Sequence, residues 1–434
     1  MLGRTYIGKR PANDRVTNLL NGAQTSPDFV MTSQLRKRVY FDHSATSAVL
    51  PEILGAMEPF FLERYGNPSS IHEFGREAKT ALDDARQKVA NLICASDPSE
   101  IVFTSGGTES DNLAVKGVAM YKGKMKGHII ASKVEHHAVL EPCEFLKRFG
   151  FEVTYLPVSS EGLVDPGDLE HAIRNDTVLV SVMMANNETG TIQPIKELGK
   201  IAQGRGIPFH TDAVQAAGKL PIDVKGQNID LLSLSGHKFH GPKGVGVLYV
   251  KKGTKIEPIL LGGGQERGLR SSTVNVAGAV GMGKAAEIAM RDMDATCQKM
   301  KSLRDKLISE VPKSVPRAYL NGHATKRLVN NAHFRFDFIE GEGLILQLDF
   351  KGIAASTGSA CSTGSLEPSH VLLAMGVTHQ QAHGSLRLTL GRENTEEEVD
   401  YLLEVLPGVV SKLREISPFN ETRPMGPGEG GCSV

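Results

Sequence analysis

The segment at residues 235–244 contains the side chain with the most distinctive chemistry, Lys238. The segment reads Ser-Gly-His-Lys-Phe-His-Gly-Pro-Lys-Gly and follows an apolar run that is typical of a buried strand. A lysine placed there among small residues is suited to form a Schiff base with a carbonyl group. A surface lysine in a loop is the alternative. His237 and His240 also allow a metal site by their spacing, but no carboxylate accompanies them, and no metal site is predicted.

The segment at residues 210–215, His-Thr-Asp-Ala-Val-Gln, adds Asp212. An aspartate at the end of a strand in apolar surroundings needs a positive partner. The protonated pyridine nitrogen of a cofactor is such a partner, and it would let the ring accept electrons. Gln215 follows about one helical turn later and could donate to a ring hydroxyl. Asp212 is equally compatible with a helix N-cap.

Two glycine-rich segments are candidate anion sites. Residues 104–110 read Thr-Ser-Gly-Gly-Thr-Glu-Ser, a pattern of a strand, a glycine pair and a helix start. Backbone N–H groups at Gly107 and Thr108 and the helix dipole would favour a phosphate there, although a simple capped turn fits as well. Residues 262–268, Gly-Gly-Gly-Gln-Glu-Arg-Gly, are a second candidate. They lack the P-loop lysine spacing, so a nucleotide is not favoured.

Four further side chains complete the candidate site. His136, in Val-Glu-His-His at 134–137, would stack on a flat cofactor and pass protons, unless it belongs to an ordinary polar loop. Asn187 follows another strand candidate. Cys361 lies among small polar residues at 355–365, which favours an exposed nucleophile over a core cysteine. Arg387 stands within an apolar strand and would bind a carboxylate if it points into a cleft, or remain an edge charge if it does not.

These residues require a scaffold, and short apolar runs that alternate with helical patterns predict one. A mainly parallel seven-stranded sheet covered on both faces is expected, with ligands at the carboxyl ends of its strands. The predicted strands are 100–104, 128–132, 152–157, 178–184, 208–211, 231–234 and 246–250. Helices are predicted at 76–94 and 277–310.

After residue 310 the order of elements changes. Strands near 332–338 and 384–390 flank a helix at 341–350 and the cysteine loop at 356–365. The fold class is therefore α/β, with a large domain at 51–290. A smaller α+β domain is predicted from 39–50 and 291–418. Residues 1–38 and 419–434 are expected to be a flexible extension and a flexible tail.

The composition restricts the function classes. The 434 residues contain 49 basic and 49 acidic side chains, so no overall charge favours nucleic acid or an anionic membrane. No run is long and apolar enough for a membrane span. Five cysteines in no C-x-x-C spacing argue against disulfides and structural zinc, and fit a reducing compartment. The basic segment 1–38 is compatible with an organellar transit peptide or with an arm that wraps a subunit. The expected location is cytoplasmic, or an organellar matrix if a transit peptide is present.

Taken together, the motifs resemble the cysteine desulfurases of the NifS/IscS type, within the fold-type I pyridoxal-phosphate enzymes. The resemblance extends from about Val39 to Pro418, in the family's order and close to its spacing. It includes the segments already described together with Tyr-Phe-Asp-His-Ser-Ala-Thr at 40–46, Gly-Asn-Pro-Ser-Ser at 66–70 and Leu-Glu-Pro-Ser at 366–369.

The resemblance implies a role for each matching residue. Lys238 would hold pyridoxal 5'-phosphate covalently and shuttle the Cα proton, while His136 would stack on the ring and Cys361 would attack the substrate sulfur. Asn187 and Arg387 would bind the substrate carboxylate. The remaining cofactor contacts would come from Gly107, Thr108, Asp212, Gln215, Ser235, His237 and Thr273. The family supplies the last of these from a partner subunit, so a homodimer is implied.

The implied reaction converts L-cysteine into L-alanine and leaves a persulfide on Cys361. The long polar loop before Leu366 resembles the branch with a mobile cysteine loop, which passes sulfur to iron–sulfur scaffold proteins. A selenocysteine lyase of the same fold is the main alternative, and Cys361 favours desulfuration. An aminotransferase would need an amino acceptor. A non-catalytic sulfur-transfer scaffold is less compatible with the intact set of Lys238, Asp212 and His136.

Overall fold

The computed structural model describes residues 38–358 and 368–419. Both ranges belong to one compact unit that begins at Arg38. The predicted N-terminal extension, most of the cysteine loop with Cys361, and the predicted C-terminal tail lie outside the described residues. Within the described ranges, no helix combines the length and apolar character needed to cross a lipid bilayer.

The strands and helices are numbered in chain order. The strands are β1 (Val39–Tyr40), β2 (Ile101–Thr104), β3 (Gly127–Ser132), β4 (Phe151–Leu156), β5 (Thr177–Ser181), β6 (Phe209–Asp212), β7 (Leu231–Ser235), β8 (Gly246–Val250), β9 (Ala318–Leu320), β10 (Asn331–Phe336), β11 (Ile353–Ala354) and β12 (Ser385–Thr389). The helices are α1 (Pro51–Met57), α2 (Pro59–Leu62), α3 (Glu73–Leu92), α4 (Gly107–Ala119), α5 (His137–Lys147), α6 (Pro166–Ala172), α7 (Ile195–Gly204), α8 (Val276–Ser314), α9 (Gly341–Phe350), α10 (His370–Ala374), α11 (His379–His383) and α12 (Glu396–Ile416).

The large sheet has seven strands in the order β2-β8-β7-β6-β5-β3-β4. Its strands are parallel except β8, which runs antiparallel to both of its neighbours. Strands β2, β6, β7 and β8 are buried along their whole length, because helices cover both faces. The prediction of an α/β fold with a mainly parallel seven-stranded sheet is confirmed.

Most predicted strand limits agree with the structure to within one or two residues. The clearest exception is the strand predicted at 178–184, because β5 ends at Ser181. The backbone N–H groups of Val182 and Met184 still donate to carbonyls of β6, at 3.1 and 2.8 Å. Residues 182–184 therefore continue beside β6, although the regular strand pairing of β5 ends at Ser181.

Two long helices support one side of the sheet. Helix α3 packs along α8 and has the apolar stripe on which its prediction rested. The long C-terminal helix α12 was not predicted. Its start carries a capping box formed by Thr395 and Glu398, and its buried residues recur at helical spacing, so both signals were present in the sequence.

A second, antiparallel sheet has the order β12-β10-β9, and β1 pairs in parallel with β11 beside it. These strands surround a separate apolar core with Phe334, Leu348 and Leu406. The N-terminal strand continues past this core, and Asp42 bridges to Thr389 of β12. The residues that follow Asp42 then reach the carboxyl end of the large sheet, where Ser47 N donates to His237 O at 2.9 Å.

Candidate active site

One cleft, about 250 Å³ in volume, lies at the carboxyl ends of the parallel strands. Within the described ranges, every predicted site residue except Thr273 lines it. These residues are Gly107, Thr108, His136, Asn187, Asp212, Gln215, Ser235, His237, Lys238 and Arg387. They come from the ends of β2, β3, β5, β6, β7 and from β12, which explains how positions so far apart in sequence meet.

Lys238 ends a short helical turn that follows β7, and its side chain lies in the cleft instead of on the surface. The Nζ group donates to the carbonyl oxygens of Ser44 and Ala45, at 2.5 and 2.9 Å. These carbonyls belong to the segment that enters from β1. The amine is therefore held at the junction of the large sheet and the N-terminal segment.

Asp212 is the last residue of β6 and is only 6% exposed. Burial raises the pKa of Asp212 to about 6, although the Val214 N–H and the charge of Lys238 lower it. The Oδ1 atom accepts from Val214 N at 2.8 Å, so the carboxylate also caps the turn that follows the strand. The two interpretations of this aspartate, as a cap and as a buried partner for a cation, are thus compatible.

Two further buried acids lie near Asp212. Burial and the charge of Asp212 raise the pKa of Asp111, on α4, well above its ordinary value. Burial raises the pKa of Glu135 to about 8, even though Ser132 Oγ and Met183 N donate to its Oε1 at 2.5 and 2.8 Å. Glu135 is therefore mostly protonated near neutral pH, and burial disfavours the charged form of Asp111 as well. Asp212 is thus the acid most able to carry a charge here.

His136 occupies the N-cap position of α5, and its Nδ1 accepts from Ala138 N at 3.0 Å. Burial, with a contribution from the charge of Lys238, lowers the pKa of His136 to about 4. The ring is therefore neutral near pH 7. Because Nδ1 is an acceptor, the proton of the neutral ring is on Nε2.

One end of the cleft is suited to an anion. Helix α4 begins there at Gly107. The free backbone N–H groups of its first turn and its dipole face the space between Thr108, Ser235 and His237. A Cβ at Gly107 would lie 2.9 Å from Val214 Cγ2, so only glycine lets the main chain pass this closely. His237 is oriented by Thr46, with Nδ1 and Oγ1 at 3.1 Å.

Arg387 lies in β12, and its side chain points inward with 2% exposure. Its Nη2 donates to Asp42 Oδ1 at 2.9 Å, and Nη1 donates to the carbonyl oxygens of Asn187 and Gly358. Arg387 is thus a cation in the cleft rather than an edge charge. Asn187 places its half-buried side chain in the same cleft.

Several lining residues were not identified from the sequence. They are Ser44, Ala45, Asp111, His137, Met183, Glu188, Val214 and His370. Ser44 and Ala45 stand inside the motif at 40–46, which is part of the resemblance, so that signal existed. Asp111 and His370 had no comparable signal, because only the folded chain brings them to the cleft. His370 is held there by Glu135 O, 3.0 Å from its Nε2.

The residues fit pyridoxal phosphate. Asp212 offers a buried carboxylate in the cleft, and burial is the main reason that its pKa is raised. Gln215 donates its Nε2 to Ser44 O at 3.0 Å, and its buried Oε1 has no hydrogen-bond partner in the described part of the chain. The N-terminus of α4 supplies the phosphate end, and Lys238 supplies the amine for the aldehyde carbon.

One predicted site residue of the described ranges, Thr273, lies outside the cleft. Thr273 lies on an exposed segment before α8 and lines none of the cleft, as expected if it serves a second subunit. Residues 262–268, the second glycine-rich segment, do not line the cleft either. Cys361 lies outside the described residues. In the described ranges, no group of three His, Cys, Asp or Glu side chains is arranged to hold a metal ion.

Comparison with known proteins gives a consistent assignment. Residues 39–402 match the family described as aminotransferase class-V. A cysteine desulfurase IscS of Dictyoglomus turgidum is 55% identical over 387 residues, which are 89% of this chain and 98% of that protein. Another cysteine desulfurase IscS, from Methanosarcina thermophila, is 57% identical over 383 residues, covering 88% of this chain and 94% of the relative.

Solved structures agree with these relatives. A NifS-like protein superposes with a TM-score of 0.81 at 43% identity, covering 87% of this chain and 100% of that one. A second structure, described as SspA in complex with cysteine, has a TM-score of 0.73 at 38% identity, with 82% and 100% coverage.

Proposed function

We propose which residues perform the reaction of this chain from the family to which it belongs. The chain is a member of the cysteine desulfurases of the class-V aminotransferase family, which depend on pyridoxal phosphate. We propose that Lys238 binds the cofactor and moves the substrate proton, and that Cys361 receives the sulfur atom. The observation that carries the proposal is the meeting of Lys238, Asp212 and His136 in one cleft with Arg387.

The cofactor would be held at three places. Lys238 Nζ would bind its aldehyde carbon, and Asp212 would face its ring nitrogen, with Gln215 beside the ring oxygen. The phosphate would lie at the N-terminus of α4, against Gly107, Thr108, Ser235 and His237. When bound, pyridoxal phosphate supplies an electron-accepting ring conjugated to the substrate nitrogen. The neutral ring of His136 would cover one face of it.

The substrate would be oriented by its carboxylate. Arg387 would bind it bidentately, and the amide of Asn187 would donate a further hydrogen bond. Asp42 now accepts from Arg387 Nη2 at 2.9 Å, so it also fixes the plane of the guanidinium group. This arrangement would leave the Cα proton of cysteine facing Lys238 Nζ and the thiol facing the entrance of the cleft.

The cysteine loop leaves and rejoins the described chain beside this entrance. Gly358, at its start, accepts from Arg387 Nη1, and Ser369, at its end, donates to Glu188 Oε2 at 2.5 Å. Cys361 stands three residues after Gly358 in the sequence, so its Cα is within roughly 11 Å of the Gly358 Cα. The chain length therefore permits its sulfur to reach the substrate.

The proposed sulfur transfer balances in atoms and electrons. The Cys361 thiolate attacks Sγ of cysteine, a sulfur–sulfur bond forms, and the Cβ–Sγ bond breaks. The electron pair of the broken bond remains with the substrate carbon and is neutralised by a proton. The products are L-alanine and a persulfide on Cys361. No external oxidant or reductant is needed.

We further propose that the protein acts as a homodimer that gives its sulfur to a scaffold of iron–sulfur cluster assembly. Large apolar side chains stay exposed on α2 and in the segments on either side of it, and on the segment before Thr273. Leu62 is 79% exposed and Leu261 is 78% exposed. Exposed apolar residues that occur in groups, instead of singly, support an interface with another protein. The scattered cysteines, none in a C-x-x-C spacing, support a reducing compartment such as the cytoplasm.

The test is turnover of L-cysteine by the purified holoenzyme. Wild type is expected to release alanine without any keto acid, and to release sulfide when a thiol reductant is added. Lys238→Ala is expected to lose the visible absorbance of the bound cofactor and all turnover. Cys361→Ser is expected to keep the cofactor and lose sulfide release. A protein that consumes only selenocysteine would overturn the proposal.

A further inference from the structure

A second lysine, Lys219, is buried directly behind Lys238. Its side chain is 8% exposed, and its Nζ donates to the backbone carbonyl oxygens of Gln215 and Lys238, at 3.2 and 3.1 Å. No carboxylate within the described ranges forms an ion pair with it. A buried ammonium group with carbonyl partners alone is costly, so its retention calls for a role.

The chain is shaped to direct this side chain inward. After β6 it makes tight turns, in which Lys219 N donates to Ala216 O at 2.9 Å. Gly218 has a φ of +71°, and a Cβ there would lie 3.3 Å from Phe239 Cβ, so a left-handed glycine is favoured. This glycine turns the chain away from the surface just before Lys219.

Lys219 faces a small cavity of about 50 Å³ between the Lys238 backbone and α8. Its walls are largely apolar, with Phe239, Ile288 and Met293. Burial is the main reason that the pKa of Lys219 is lowered to about 8, and the charge of Lys238 lowers it further. Near neutral pH the group is therefore mostly charged.

The other ionisable groups near the two lysines do not neutralise Lys219. Asp292 on α8 is bound to Arg291 and Arg392, at 2.8 and 3.0 Å, and Glu393 lies 3.7 Å from His240. Burial lowers the pKa of His43 to about 4. Within the described ranges, the other ionisable groups that line the cleft with Lys238 are Asp111, His136, His137, Glu188, Asp212, His237, His370 and Arg387. Cys297 Sγ on α8 lies 3.6 Å from Lys219 O.

We propose that Lys219 is a positioning residue of the desulfurase reaction: its ammonium group anchors the backbone at Gln215 and Lys238 and favours the neutral amine of Lys238 by electrostatic repulsion. The inference rests on the proposed role of Lys238 as the cofactor anchor. The neutral amine is the form that binds an aldehyde and accepts a proton, and a nearby cation is an established way to activate a lysine. The Gln215 contact extends the effect to the ring oxygen.

Three substitutions separate charge from hydrogen bonding. Lys219→Met removes both, Lys219→Gln keeps a donor without the charge, and Lys219→Arg keeps the charge. The matched control is Lys225→Met, because Lys225 is an exposed lysine on the same connection between β6 and β7. The readout is the pH at which the absorption band of the bound cofactor changes in each holoenzyme.

Without the charge of Lys219, the nitrogen of Lys238 binds a proton more readily. The change in the absorption band of the bound cofactor is therefore expected at higher pH. The expected shift is about one pH unit or more for the Met and Gln variants. The Arg variant and the Lys225→Met control are expected to follow wild type. Circular dichroism and thermal unfolding identify variants that fold, and the Gln and Arg variants decide the question if the Met variant does not.

A folded Lys219→Gln enzyme with the wild-type transition would overturn the charge effect and leave Lys219 as a structural residue only. The proposed function is tested separately. A cofactor band in wild type that disappears in Lys238→Ala supports the role of Lys238, whichever result the Lys219 variants give.

Discussion

Asp212 and Asp111 are two carboxyl groups buried beside each other at the base of the cleft. Burial is the main cause that raises the pKa of both, and the charge of Asp212 adds to the effect on Asp111. Without a cation on its open side, the ionised form of Asp212 is costly. A protonated cofactor nitrogen removes that cost, so cofactor binding and the ionisation of Asp212 favour each other.

Asp212→Asn is therefore expected to have opposite effects on the two forms of the enzyme. The apoenzyme should be as stable as wild type or more stable, because a buried charge is removed. The holoenzyme should lose turnover by roughly 100-fold, since the stabilised charge on the ring nitrogen is lost. Thermal unfolding with and without pyridoxal phosphate measures the first effect, and alanine release measures the second. An equal rise in Tm on cofactor addition for variant and wild type would contradict this account.

His136 gives a prediction about pH. Because the pKa of His136 is lowered to about 4, the ring stays neutral as the pH falls and becomes charged only well below pH 5. The NMR signals of isotope-labelled His136, assigned with His136→Gln, should show no transition between pH 5 and 9. A midpoint near the ordinary value of about 6.5 would mean that the ring is solvated or paired with a carboxylate.

Individual site residues could be predicted from the sequence where a polar residue lies at the end of an apolar strand. Lys238, Asp212 and His136 all stand at such positions, and the structure brings them together. Lys219 follows a glycine in an unremarkable connection, so its burial is visible only after folding. Asp42 is similar, because its contact with Arg387 joins residues from opposite ends of the chain.

The elements were predictable wherever a pattern is local. Strand β8 has the predicted limits, and the long helix α8 begins and ends near its predicted positions. The antiparallel direction of β8 was not predictable, because a buried apolar run reads the same in both directions. Its position between β2 and β7 depends on contacts between distant segments.

The contact between β8 and the turn before α4 can be tested by substitution, because this turn forms the end of the cleft suited to an anion. A Cβ at Gly246, the first residue of β8, would lie 2.5–2.7 Å from the backbone of Gly106. Gly246→Ala should therefore displace the Gly106–Gly107 turn. We expect a loss of about 1–3 kcal/mol in the free energy of unfolding and weaker binding of pyridoxal phosphate.

The control for Gly246→Ala is Gly408→Ala. Gly408 lies inside α12, and a Cβ there would meet no atom within 4 Å. This substitution should stabilise the protein by up to about 1 kcal/mol and leave cofactor affinity unchanged. Denaturant unfolding and cofactor titration measure both quantities. Unchanged cofactor binding in Gly246→Ala would show that the turn is not held by β8.

For the whole molecule, the cleft has walls from two differently built regions. Lys238 and Asp212 belong to the large parallel sheet, while Arg387 belongs to the small antiparallel sheet with its own core. The predicted domain limits at 51–290 and 291–418 remain predictions. The resemblance of motifs could indicate the arrangement, but no local pattern shows that β12 faces the end of β6.

The proposed homodimer can be tested at its expected subunit interface. If the exposed apolar residues of α2 form a subunit interface, Leu62→Asp should convert the dimer to a monomer, because a charge would be buried. The variant should also bind pyridoxal phosphate more weakly, since Thr273 would no longer reach a neighbouring cleft. Phe350→Asp is the control, as Phe350 is 66% exposed on α9, which packs against α12, β11 and β12. Light scattering measures the mass, and a dimeric Leu62→Asp enzyme would argue against this interface.

The most direct test of the central claim is to locate the sulfur after a single turnover. The holoenzyme would be mixed with one equivalent of L-cysteine, alkylated and digested, and each cysteine peptide would be analysed by mass spectrometry. We predict one additional sulfur atom on the Cys361 peptide, equal in amount to the alanine formed, and none in Lys238→Ala. Alanine formation with the additional sulfur on another cysteine, or on none, would contradict the account.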